Sequence, residues 1–343
     1  MVSVGVIGYG YWGPNLVRNF QESGVARVTA VSDLSQGRLD LVRGRYPTIM
    51  TTPDHAALIT RPDVDAVAIA TPVGTHYDLA LSALRAGKHV FVEKPLTQTA
   101  EQSRRLIDEA ERRGLILMVD HTFIYTGAVR KIKALVDAGD LGEIYYYDSE
   151  RVNLGLFQPD VNVIWDLAVH DLAIMGFIFT EQPVAVSATG IGHVPGKPAN
   201  VAYLTLYFDR PMIAHINVNW LSPVKLRRTL IGGSRRMVVY DDLEPSEKIK
   251  IYDKGIELSN GKPRGESELE RVYETLIGYR SGDMHAPKLD GTEALRREVL
   301  HFVDCIRQGA RPESGGEAGL AVVTILEAAT RSMDARGAPV ELP

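Results

Sequence analysis

The stretch Val4-Gly5-Val6-Ile7-Gly8-Tyr9-Gly10-Tyr11-Trp12-Gly13-Pro14 decides how the chain is read. An apolar run enters three glycines spaced G-x-G-x-x-G, the pattern of a buried strand that turns sharply into a helix. Gly8 permits the tight bend, Gly10 lets the backbone approach a pyrophosphate, and Gly13 lets the helix pack against the strand. The free N–H groups and positive dipole end of that helix suit phosphate, and Pro14 sits where a missing N–H costs little. Tyr9, Tyr11 and Trp12 complete the turn, and Leu16, Val17 and Phe20 give the helix an apolar face.

A glycine turn alone is weak, because a chain with 31 glycines meets the pattern by chance. Context strengthens it. A second strand, Arg27 to Ser32, ends on Asp33, about 20 residues past the last glycine, where a carboxylate accepts hydrogen bonds from adenosine ribose hydroxyls. The alternative is an unrelated parallel-sheet edge with a turn acid. Asp33 favours NAD over NADP by repelling a 2′-phosphate, and Arg38, shortly after it, softens that preference.

At 343 residues the chain is long enough for two domains. Its 45% hydrophobic and 24% charged residues are those of a globular enzyme, and a net charge of -5 argues against a nucleic-acid surface. No apolar run is long enough to span a bilayer, and no export signal opens the chain, so no membrane association and a cytoplasmic address are expected. The single cysteine, Cys305, excludes an internal disulfide and reads as a small buried thiol. Nine histidines without metal-ligand spacing argue against a metal.

Alternating helices and strands fill residues 1–120: a helix from Gln36 to Tyr46, a buried strand from Val64 to Ala70, a helix from Thr75-His76, a strand at His89 to Val92, a helix from Thr99 to Arg113 and a strand from Leu115 to Val119. A doubly wound parallel sheet follows. Thr71, Pro72 and His76 then lie at its carboxyl edge, where ligands of such folds bind, with capping by Thr75 and a solvated His76 as the plainer readings. Glu93-Lys94-Pro95 delivers a lysine at the end of a strand, or else forms a surface turn. Residues 121–343 change pattern: a helix from Gly127 to Ala138, then strands at Ala185 to Ile191, Val201 to Phe208, Ile213 to Trp220, Lys225 to Ile231, Met237 to Tyr240 and Ile249 to Tyr252. These predict an α+β domain with a large, mainly antiparallel open sheet. Tyr203, Thr205 and Tyr207 coat one face, as suits a subunit contact. Asp253 to Asp290 reads as a long loop, and two helices, Thr292 to Arg307 and Glu317 to Arg336, close the chain, packing on the sheet or back on the first domain.

Chemistry concentrates in Trp165-Asp166-Leu167-Ala168-Val169-His170-Asp171. A helix over Leu167 to Phe179 places Asp166 and His170 four residues apart on one face, an acid–base pair in which the imidazole takes an alcohol proton near neutral pH. The competing reading is a helix cap and a core histidine.

Taken together, the turn at Gly8 to Gly13, Glu93-Lys94-Pro95, Asp120-His121-Thr122-Phe123 and Asp166-x-x-x-His170 resemble the Gfo/Idh/MocA family of oxidoreductases over essentially the whole chain. The resemblance implies Lys94, Asp166 and His170 as catalytic residues. It implies a cofactor cleft lined by Gly8, Tyr9, Gly10, Tyr11, Trp12, Gly13, Asp33, Thr71, Pro72, His76, Glu93, Lys94 and His121, the last standing where many relatives carry asparagine. Substrate contacts would come from Lys94, Tyr125, Asn153, Phe157, Trp165, Asp166 and His170, as in a branch acting on cell-surface sugars and glycosylated natural products. The implied reaction is oxidation of a secondary ring hydroxyl, the 3-OH, of a nucleotide sugar or an aminoglycoside-type intermediate, with NAD as acceptor. Alternatives are a cyclitol dehydrogenase, an NAD-assisted glycosidase and a non-catalytic NAD or sugar sensor. A diphosphate would be met by Arg151, Arg227, Arg228, Arg235 or Arg236, and a cationic substrate by Asp148, Glu150, Asp160, Glu266, Glu268 or Glu270. A homo-oligomer, dimer or tetramer, through the second domain's sheet is expected.

Overall fold

The computed structural model describes residues 1–155, 161–257 and 278–343. Its helices are α1 (Gly13–Glu22), α2 (Gln36–Arg45), α3 (His55–Ile59), α4 (His76–Arg85), α5 (Ala100–Arg113), α6 (Gly127–Asp137), α7 (Val169–Ile178), α8 (Ala294–Gln308) and α9 (Gly316–Asp334). The chain divides into two units. The first holds residues 1–127, 172–177 and 291–328, and the second holds the remainder.

In the first unit, β1 (Val2–Ile7), β2 (Ala26–Ser32), β3 (Met50–Thr52), β4 (Ala66–Ile69), β5 (His89–Glu93) and β6 (Leu117–Asp120) form a parallel sheet in the order β3-β2-β1-β4-β5-β6. This is the doubly wound sheet expected from the sequence. Strand order reverses at β1, which lies between β2 and β4, so the glycine turn leaves the sheet at the switch point where such folds bind ligands. Leu16, Val17 and Phe20 of α1 are fully buried, and Phe20, Phe91 and Phe302 meet edge to face, tying α1, β5 and α8 into one core. Thr99 is the cap of α5, accepting from Gln102 N, and Gly114 ends that helix at φ +65°. Cys305 is buried on α8, and burial pushes its thiol up to about 11.

The second unit carries a nine-stranded sheet built from β7 (Ile144–Leu154), β8 (Ala185–Ile191), β9 (Val201–Tyr207), β10 (Ile213–Asn219), β11 (Leu221–Gly233), β12 (Met237–Asp241), β13 (Ile249–Tyr252), β16 (Met284–His285) and β17 (Val340–Glu341). Between β13 and β16 in the chain, β14 (Gly255–Glu257) and β15 (Gly278–Arg280) pair separately. The sheet order is β16-β13-β12-β11-β7-β10-β9-β8-β17, antiparallel except where β7 meets β10. Two expectations need correction. The central strand β7 was not foreseen, and the ends of the Asp253–Asp290 stretch are paired strands rather than loop, each too short to show a period; residues 258–277 lie outside the described residues. Among the described residues no helix is long and apolar enough to cross a membrane.

β7 escapes a reading by apolar alternation because its buried side is Tyr147, Ser149 and Arg151. Those groups are satisfied by α7. Arg151 Nε donates to Asp171 Oδ2 at 2.7 Å and Nη2 to Oδ1 at 3.2 Å, Ser149 Oγ donates to Asp171 Oδ1 at 2.8 Å, and the Tyr147 hydroxyl donates to the Asp171 carbonyl at 3.1 Å. Arg151 and Asp171 are 3% and 1% exposed. This corrects the expectation that Arg151 serves a substrate diphosphate: the guanidinium is consumed inside the unit. Arg151→Met leaves a charged Asp171 buried without its partner, so the unfolding free energy should fall by about 3–5 kcal/mol in urea titrations, and adding Asp171→Leu should restore most of it.

Candidate active site

Three glycines of the opening turn answer to different constraints. Gly8 has φ +94°, and a Cβ there would stand 2.3 Å from the Ala70 carbonyl oxygen; a Cβ on Gly13 would stand 2.2 Å from the Gly8 carbonyl oxygen. Both are required by the fold itself. A Cβ on Gly10 would meet nothing nearer than the Arg38 guanidinium at 3.6 Å, an ordinary contact. Among the described residues nothing demands glycine at position 10, whereas a pyrophosphate drawn against the turn does. No side chain caps α1 and no acid occupies its first turn, so the helix start is left for an anion. The first unit therefore fits a dinucleotide.

Asp33 lies just past β2. Its Oδ2 accepts from Tyr9 N at 2.7 Å and its Oδ1 from Ser35 N at 2.8 Å. Beside it Leu34 is 89% exposed, an apolar surface suited to the flat face of an adenine that the sequence reading passed over. Tyr11 is exposed and Trp12 half-buried.

At the carboxyl ends of β4 and β5, Thr71 is half-buried and Pro72 exposed. Thr75 does not cap α4; its hydroxyl stands 2.8 Å from the Pro72 carbonyl, to which it donates, and 2.7 Å from the Thr71 hydroxyl. His76 is 1% exposed, not solvated, with Nδ1 2.9 Å from the Pro95 carbonyl and Nε2 2.8 Å from the Thr71 carbonyl. Burial pushes its pKa down against the pull of those carbonyls. It ties the loop after β4 to the loop after β5, which carries the half-buried Lys94. Tyr125, expected at the substrate, is fully buried with its hydroxyl 3.0 Å from Ser314 Oγ, and a side chain without exposed surface meets no ligand in this state.

Below this edge is a group of acids that the sequence reading did not connect. Asp120 accepts from Trp12 Nε1 at 2.6 Å and from the Thr122 hydroxyl, so the glycine turn is pinned to the end of β6 across 108 residues of chain. Glu298 of α8 is fully buried beside Asp120 and Thr122. Burial, with Asp120 and Glu93 near it, pushes Glu298 well above the usual carboxylate range; burial and Asp120 do the same to Glu93 against the pull of Lys94. His121 is 3% exposed with neither ring nitrogen partnered among the described residues, and burial pushes it down to about 4. A neutral imidazole left so is a group that a ligand amide would complete.

In the second unit the chemistry-bearing stretch is a π-turn, Ile164–Ala168, running into α7, where a plain α-helix from Leu167 was expected. Such turns concentrate at functional sites. At the start of this turn Asn162 Oδ1 accepts from Ile164 N and Trp165 N. Asp166 Oδ2 accepts from the buried Trp220 Nε1 at 3.1 Å, and Trp165 Nε1 donates to Thr330 Oγ1 at 3.0 Å. Gly155 leaves room for the Trp220 ring, 2.6 Å from where its Cβ would be. His170 and Asn153 are half-buried, and Phe157 lies outside the described residues. Of the other charges considered for a substrate, Arg227 pairs with Asp242 at 3.2 Å and Arg228 and Arg235 are exposed. Asp148 meets His215 and Glu150 meets Asn217 on the sheet. Asp160, Glu266, Glu268 and Glu270 lie outside the described residues.

Two measurements follow from this geometry. Gly10→Ala should leave thermal stability within about 0.5 kcal/mol while weakening NAD at least about tenfold by calorimetry, whereas Gly13→Ala should cost about 1–3 kcal/mol of stability. For Glu298, a carboxyl raised in the fold costs stability once the unfolded chain ionises above its ordinary 4.5. Glu298→Gln abolishes that cost, so its melting temperature relative to the parent should rise as the pH climbs above that value; a difference that stays constant would show the carboxyl ionised in the fold.

Comparison with known proteins supplies the remaining context. Residues 2–121 match the model of the oxidoreductase family with an NAD-binding Rossmann fold, and residues 129–239 match the GFO/IDH/MocA C-terminal domain. Inositol 2-dehydrogenase of Rhizobium meliloti is 26% identical over 342 residues, 97% of each chain. UDP-N-acetylglucosamine 3-dehydrogenase of Acidithiobacillus ferrooxidans is 30% identical over 262 residues, 76% of this chain and 79% of that one; its solved structure superposes with a TM-score of 0.80 at 27% identity, covering 97% of each chain. A paired set of domain matches and full-length relatives of this kind leaves one assignment: the chain is an NAD-binding oxidoreductase of the Gfo/Idh/MocA family.

Proposed function

We propose that the protein oxidises a secondary ring hydroxyl of a sugar to a ketone, at the 3-position of a nucleotide sugar, with NAD as acceptor. The observation that carries the reading is Asp166 held by the Trp220 indole, Nε1 to Oδ2 at 3.1 Å, four residues ahead of His170 in the chain. Similarity to a UDP-N-acetylglucosamine 3-dehydrogenase over 97% of the chain supports the substrate class and ring position. Similarity to an inositol dehydrogenase over the same span supports a second reading, a cyclitol as substrate.

In this reading His170 takes the hydroxyl proton, Asp166 holds the hydroxyl or the ring of His170, and the Lys94 ammonium stabilises the negative oxygen as the C–H bond breaks. When bound, NAD supplies the hydride acceptor. Asp166 is held in place by the Trp220 N–H, so no rotamer search precedes the proton transfer. Gly8, Gly10, Gly13 and Asp33 hold the dinucleotide, with His121 meeting the nicotinamide amide. We further infer that two copies pair through the open sheet face, where Tyr203, Tyr207, Ile213 and Leu226 are exposed in a single chain.

The test is NADH formation by absorbance with UDP-sugars, inositols and aminoglycoside intermediates offered separately. A signal with UDP-sugars, and kcat/KM lowered about 10²–10⁴-fold by His170→Ala, is the expected result. Turnover of inositols alone would favour the cyclitol reading, and NAD binding with silence across the panel would overturn both.

A further inference from the structure

Strand register sorts the basic side chains of the second unit by their distance from Asp166. β7 ends at Leu154 opposite Leu221, β10 ends at Asn219 opposite Val152, and β9 begins at Val201 opposite both Asn219 and Ile191. Trp220, whose indole holds Asp166, and residues 192–200, which join β8 to β9, therefore leave the sheet at the same end. β11 runs from that end to Gly233, opposite Ile144. Its turn into β12, which carries Arg235 and Arg236, leaves the sheet at the other end, about 30 Å away at the rise of a strand. Arg228 stands opposite Glu150, Arg227 is paired with Asp242, and Arg151 is buried against Asp171. The guanidinium groups that residue type alone offers to a diphosphate are thus engaged or remote from Asp166.

At the Asp166 end, residues 192–200 are fastened beside the site. The Ala199 carbonyl accepts from Val163 N at 2.9 Å, at the entrance to the π-turn that carries Asp166. The carbonyl of the fully buried Asn200 accepts from Trp220 N at 2.9 Å, and Asn200 Oδ1 stands 2.9 Å from the His193 ring. Between these anchors Val194-Pro195-Gly196-Lys197 closes a turn, Lys197 N donating to the Val194 carbonyl at 3.1 Å. Proline in its second position and Gly196 at φ +70° in its third are the marks of a type II turn. Lys197 is exposed at the end of this turn. Its backbone lies at most about 7 Å of chain from Ala199, and Asp166 is three residues past Val163, so the ammonium reaches a ligand whose ring is held at Asp166.

We propose that Lys197 is the anion-binding arm of the substrate site, receiving the diphosphate of a nucleotide sugar whose ring hydroxyl lies between Asp166 and His170. The inference rests on the nucleotide-sugar reading and gives that reading a residue for the phosphates. A lysine takes phosphate as a point charge on a flexible stem, which suits a group that must be released after each turnover. Lys197 touches no reacting atom, so it acts on substrate affinity and not on the breaking of the C–H bond. The contact joins exposed charges, so salt weakens it.

Steady-state NADH formation by the full chain at saturating NAD, with the UDP-sugar varied, tests this in the parent and in Lys197→Ala, Lys197→Glu, Lys197→Arg and Arg235→Ala. The expected result is a KM raised about five- to tenfold in Lys197→Ala and further in Lys197→Glu, with kcat changed less than about twofold and KM close to the parent's in Lys197→Arg. Added KCl should raise KM more steeply in the parent than in Lys197→Ala. A KM unchanged in both Lys197→Ala and Lys197→Glu, a loss confined to kcat, or a larger rise in KM in Arg235→Ala would overturn the proposal while leaving the nucleotide-sugar reading intact. A parent that turns over uncharged sugars or cyclitols but no UDP-sugar would defeat that reading, and the diphosphate arm with it.

Discussion

The buried pair of Arg151 and Asp171 is the constraint on which the second unit depends. Removing two charges from water is costly, and their attraction offsets it only when the geometry is good and the remaining polar atoms are satisfied. Here the contact is made through two hydrogen bonds, and Ser149 supplies a third donor to the same carboxylate. The Tyr147 hydroxyl, bonded to the Asp171 carbonyl, fixes the helix backbone as well as the side chain. Two packed apolar surfaces can slide by a fraction of a turn at small cost. A four-membered polar contact in a dry interior has one register, because any shift leaves a charge or hydroxyl without a partner. His170 immediately precedes Asp171 in the chain, so the pair that docks α7 on β7 also sets where the imidazole stands.

That contact explains what could and could not be read from residues alone. The first unit was legible because its constraints are local: a strand of apolar residues, a glycine with positive φ, a second glycine against the Gly8 carbonyl, and an acid one strand later all lie within thirty-odd positions. The strands β9 and β10 were legible because burial alternates with residue type along them. β7 was not, since its inward side chains include an arginine and a serine. Only the partner, twenty residues on, turns those residues from surface markers into core. For the same reason Arg151 looked available to a ligand when it was not.

The site followed the same division. Lys94, Asp166 and His170 stand out by residue type and spacing. The contacts that hold candidate residues within each unit do not, because each joins positions distant in sequence: Trp12 with Asp120 at 108 residues, Trp220 with Asp166 at 54, Trp165 with Thr330 at 165. Glu298 lies on an ordinary amphipathic helix, and nothing in its neighbours there signals that it reaches Asp120 and Glu93. The π-turn was also hidden, since its extra residue leaves a four-residue spacing that an α-helix would equally place on one face.

All three tryptophans of the chain spend their indole N–H in this way, on a carboxylate or a hydroxyl next to chemistry-bearing residues rather than on backbone. An indole suits the task. It has few rotamers, buries a large apolar area that anchors it in a core, and presents one donor in a fixed direction. A lysine or arginine would bring a charge that alters the acid it holds, and a serine would bring a hydroxyl free to rotate. With a buried indole such as Trp220, the orientation of Asp166 is set by packing on the far side of the ring, so it is established when the unit folds. Groups oriented in advance need no reorganisation when charge develops beside them, which is where an enzyme gains most from a fixed dipole or carboxylate. The apolar core of the second unit therefore does more than stabilise it: through the buried Trp220 ring it carries its rigidity to the Asp166 carboxylate.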